Sequence, residues 1–63
     1  MAINEETLYN AVMNDQATWL HDATVGGDYT EEVYEYGGVK FTIEVVGEER
    51  KVPNYFPGQI RIL

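Results

Sequence analysis

Gly37-Gly38 sits between two runs of strand-forming residues, and no other feature limits the fold of this chain so tightly. A two-residue turn of this kind accepts the positive φ angles of a tight hairpin and fixes the pairing of its flanks. The run after it alternates strictly, with Val39, Phe41, Ile43 and Val45 on one face and Lys40, Thr42 and Glu44 on the other. The run before it, residues 29–36, is rich in Tyr, Thr and Val. With the turn at 37–38, Tyr36 opposes Val39, Tyr34 opposes Phe41 and Glu32 opposes Ile43. Glu35 then faces Lys40, a favourable cross-strand pair, and Val33 faces Thr42. Glu31 faces Glu44, an unfavourable like-charge pair.

This hairpin needs a cover for its apolar face, and the N-terminal third supplies one. Asn4 is a good N-cap, with Glu5 and Glu6 placed to suit the positive end of the helix dipole. Ile3 and Leu8 have the spacing of a hydrophobic staple. Leu8, Val12, Trp19 and Ala23 form a stripe that Tyr9, Met13 and Leu20 widen, although Gln16 interrupts it. This periodicity predicts one amphipathic helix over residues 4–24, stopped by Gly26-Gly27. After the hairpin, Gly47-Glu48 reads as a second tight turn into a strand over 49–53, with Glu44 facing Lys51. Pro53 ends that strand. Pro57-Gly58 suits the centre of a type II turn. Residues 59–62 alternate again, with Ile60 and Ile62 inward. The fold class expected is therefore α+β: one domain over residues 1–63, its N-terminal helix packed on a three- to four-stranded antiparallel meander.

Sixty-three residues allow one thin core. There is no cysteine and a single histidine, so neither disulfide staples nor a multi-histidine or thiolate metal site is expected within the chain. No cofactor is expected either. The Gly-Gly pairs lack the spacing and the basic residue of a phosphate loop, and the acids lack the alternation of a calcium loop. There is no serine, and His21-Asp22 on a helix would point about 100° apart, so no catalytic dyad is expected and the chain reads as a non-enzyme. No run approaches a membrane span, and the polar start is unlike a secretory signal, so a cytoplasmic protein is expected.

Net charge is −7, with eleven acids against four bases. Direct binding to nucleic acid or to an anionic membrane is disfavoured, and a basic protein is the natural partner. Residues 28–36 concentrate four acids and three tyrosines, a chemistry suited to docking Arg and Lys. The partner-binding candidates are Asp28, Tyr29, Glu31, Glu35, Glu44, Glu48 and Glu49, together with Tyr55 and Phe56 on the proline-bounded loop. The function expected is that of an inhibitor or modulator of a basic, nucleic-acid-handling protein. Its carboxylates, spaced like DNA phosphates, would act as a DNA mimic. So small a device suits a phage or plasmid and would then work in the host cytoplasm. The alternative is an assembly subunit, forming a homodimer or larger array through a strand edge or a helix face.

Overall fold

The computed structural model describes residues 3–25, 29–47 and 51–63. One helix, α1 (Glu5–Met13), is followed by four strands, β1 (Thr18–Val25), β2 (Tyr29–Tyr36), β3 (Val39–Val46) and β4 (Ile60–Ile62). The strands form a single antiparallel sheet in the order β1-β2-β3-β4, an uncrossed meander. This is the α+β architecture expected from the hydrophobic pattern.

The central hairpin carries the predicted register along its whole length, from Tyr36 opposite Val39 to Tyr29 opposite Val46. Gly37 and Gly38 both have positive φ, 59° and 81°, which makes the tight turn available without steric cost. Phe41, Ile43 and Val45 are buried on the face that α1 covers with Leu8 and Tyr9, and Ile60 of β4 joins the same cluster. Tyr34 stacks on Phe41 with ring centroids 6.2 Å apart.

The helix starts as predicted and stops much earlier. Asn4 caps it, its Oδ1 accepting from Thr7 N–H at 2.8 Å. Nine residues later the chain leaves the helix through a Schellman arrangement. Asp15 takes the left-handed conformation at φ 60°. Its N–H donates to the Val12 carbonyl (3.1 Å) and that of Gln16 to the Ala11 carbonyl (2.7 Å). The expected helix over 4–24 is therefore corrected: Thr18–Val25 is a strand paired with β2. Threonine, tryptophan and valine in this segment favour that state. Two bulges, between Trp19 and His21 and between Asp22 and Thr24, interrupt the pairing.

The correction moves several residues. Trp19, expected in the core, is 52% exposed on the edge strand, and Leu20 and Met13 are also exposed. The expected stop at Gly26-Gly27 lies outside the described residues.

On the other side of the hairpin, the expected Gly47-Glu48 turn and the strand over 49–53 are also corrected. Lys51 makes an isolated bridge to Val46, so the connection spans residues 47–50, of which 48–50 lie outside the described residues. Thus Glu44 does not face Lys51. The strand beside β3 is β4 instead, with Ile43 opposite Ile60 and Phe41 opposite Ile62. Ile60 is buried as expected, whereas Ile62 is half exposed. The chain reaches β4 through Pro57-Gly58, where Gln59 N–H donates to the Phe56 carbonyl at 3.2 Å and Gly58 has φ 90°, the predicted type II turn.

Candidate functional site

Residues directly opposed across an antiparallel pair share a face, so the register sorts the side chains. The face covered by α1 holds Tyr34, Phe41, Ile43 and Ile60, and it also holds Glu32. Glu32 is 6% exposed and accepts from the Tyr34 hydroxyl at 3.0 Å. Asp22 stands opposite Glu32. His21 stands opposite Val33, on the other face. His21 and Asp22 therefore project to opposite sides of the sheet and form no dyad.

The other face, which the helix leaves open, carries His21, Glu31, Val33, Glu35, Lys40, Thr42, Glu44 and Arg61. Three of the expected contact residues, Glu31, Glu35 and Glu44, share this face, with Glu31 opposite Glu44 and Glu35 further along β2. Their surroundings are not uniformly acidic. Lys40 stands opposite Glu35, as predicted. Arg61 Nη2 lies 3.4 Å from Glu31 Oε2. To make this contact Arg61 must reach from β4 across β3 beside Thr42, which is buried. An arginine stem covers apolar surface well while its head stays in water, and the Arg61 side chain is 72% exposed.

The like-charge pair of Glu31 and Glu44 is thus half compensated. Arg61 answers Glu31, and Glu44 has no ion pair among the described residues. Beside these two carboxylates the open face dips into a pocket of about 90 Å³, lined by Glu31, Thr42, Glu44, Gly58, Gln59 and Arg61. Gln59, part of this lining, is buried. Gln59 Nε2 donates to the Pro53 carbonyl at 3.2 Å, and Gln59 Oε1 accepts from Phe56 N–H at 3.4 Å. Small-molecule and cofactor sites have volumes of roughly 300 Å³ or more, and this pocket is well below that size. Among the described residues, no group of three His, Cys, Asp or Glu side chains is arranged to hold a metal ion.

The other expected contact residues lie apart from this site or outside the description. Tyr55 packs on the helix, its ring 5.7 Å from that of Tyr9, and Phe56 is partly exposed on the same loop. Tyr29 opens β2, but its side chain, like Asp28, Glu48 and Glu49, lies outside the described residues. Sequence reasoning missed Arg61, Thr42 and Gln59. The available signal was the outward position of Arg61 between Ile60 and Ile62, but its neighbours depend on which strand β4 joins.

No helix among the described residues is long and apolar enough to cross a membrane. Compared with protein-family models, curated proteins and solved structures, the chain matches none.

Proposed function

We propose that this chain is a non-enzymatic binding module that docks a basic protein partner on the open face of its sheet. The observation that carries the reading is the unbalanced pair of Glu31 and Glu44. Two carboxylates face each other across the central hairpin, among the described residues a cation answers only the first, and the chain as a whole is strongly acidic. Such a surface attracts Arg and Lys and speeds encounter with a basic partner. A protein whose basic surface serves nucleic acid fits this chemistry, and occupying that surface would make the chain an inhibitor or modulator. The spacing supports charge complementarity more than imitation of DNA. Glu31 and Glu35 are four residues apart with Val33 between them, about 13 Å along the strand, and Lys40 and Arg61 interleave with the acids.

The test is a titration of labelled hexa-arginine, hexa-lysine and hexa-glutamate peptides by fluorescence anisotropy over rising salt. The reading requires that the cationic peptides bind and that salt weakens them. Absence of binding at low salt refutes it.

Self-association is the second reading, favoured by Trp19 and Leu20 exposed on the edge strand β1. The fold opposes its strand-edge form, because bulges in an edge strand and a very short edge strand are devices that discourage edge pairing, and β1 and β4 show one each. A defined oligomer by light scattering, unchanged at high salt, would favour this reading over the first.

A further inference from the structure

We propose that the pocket between Glu31 and Glu44 is the seat of a single arginine guanidinium from the partner, and that Arg61 acts as an internal competitor for it. The inference rests on the binding reading above and assigns its central contact.

The chemistry is visible in the chain itself. A guanidinium, that of Arg61, already lies at the rim, engaging one of the two carboxylates. Its contact is long, exposed and made from a three-residue edge strand, so releasing it costs little. Glu44, directly across from Glu31, lies on the same pocket wall without an ion pair among the described residues. The space, about 90 Å³, is well below the roughly 300 Å³ at which small-molecule and cofactor sites begin. A pocket of this size suits a planar guanidinium better than a nucleotide or a sugar. The fork of an incoming arginine matches carboxylate geometry and carries five donors, and Thr42 is part of the lining.

The same face contains its own control. Glu35 and Lys40 oppose each other outside the pocket, so their substitutions change net charge by the same amounts as those at Glu44 and Arg61. Hexa-arginine binding is measured at low salt for Glu44→Gln, Glu35→Gln, Arg61→Gln and Lys40→Gln, each checked by thermal melting. Glu44→Gln removes the like-charge opposition and is expected to fold. The proposal requires that it weaken binding about fivefold or more, and that Glu35→Gln weaken it by less than about twofold. It also requires that Arg61→Gln tighten binding more than Lys40→Gln does. Equal losses for the two glutamate variants, with equal gains for the two cation variants, would overturn the pocket and leave general acidic docking standing. Failure of the unaltered chain to bind the peptide at all would overturn both.

Discussion

Asp15 offers the sharpest test of how this chain turns from helix to strand. It holds φ 60° at the end of α1, where the backbone reverses toward β1. The left-handed region costs an ordinary L residue roughly 1–2 kcal/mol, and Asp somewhat less because its short side chain bonds locally. Glycine escapes that cost but gives up about 0.5–1 kcal/mol to the greater freedom of the unfolded chain. The balance predicts that Asp15→Gly stabilises the domain by about 0.5 kcal/mol, a rise in Tm of a few degrees at this size. Asp15→Val, with a β-branched side chain forced to the same angle, should lose about 1–3 kcal/mol. Thermal and urea unfolding followed by circular dichroism measure both. The sign for glycine is decisive. Were residue 15 inside a continuous helix, glycine would destabilise, so a fall in stability for Asp15→Gly would refute the Schellman stop and restore the long helix.

Four further outcomes follow from the packing. Phe41→Ala empties a fully buried site and should cost about 3–5 kcal/mol, against roughly 3–9 kcal/mol available to a domain of this size, so it should lose cooperative melting near room temperature. Trp19→Thr removes a half-exposed side chain and should cost under about 1 kcal/mol, while acrylamide should readily quench the native Trp19 fluorescence. Gly37→Ala meets both a left-handed φ and Ile3 Cδ1 at 3.2 Å, and should lose about 1–2 kcal/mol in urea melts. Asn4→Ala removes the cap on Thr7 N–H and should lose about 1 kcal/mol by the same assay.

The parts of the fold that were legible in the chain are those decided locally. The Gly37-Gly38 turn dictates the whole β2–β3 register, Pro57-Gly58 dictates its own turn, and Asn4 marks the helix start. The helix end was not legible because its left-handed residue is an aspartate and not a glycine. The strand that follows was masked by its own bulges. Each inserts a residue, Leu20 and then Ala23, and this breaks the period of two that would have marked an edge strand. The remaining spacing of apolar residues imitates a helix. At the candidate site, the carboxylates Glu31 and Glu44 were legible as an opposed pair through the hairpin. Their neighbour Arg61 was not, because a three-residue strand carries too little pattern to declare its partner. Nor could the pocket be foreseen, since its lining comes from β2, β3 and the Gly58 turn as well as β4.

The central claim, that a basic partner docks on the open sheet face, is tested most directly by following backbone amide resonances during a hexa-arginine titration. The account predicts saturable, salt-sensitive shifts centred on Glu31, Thr42, Glu44, Gln59 and Arg61, with Leu8, Tyr9 and Trp19 little changed. Shifts concentrated on the helix or around Trp19, with the open face silent, would contradict it.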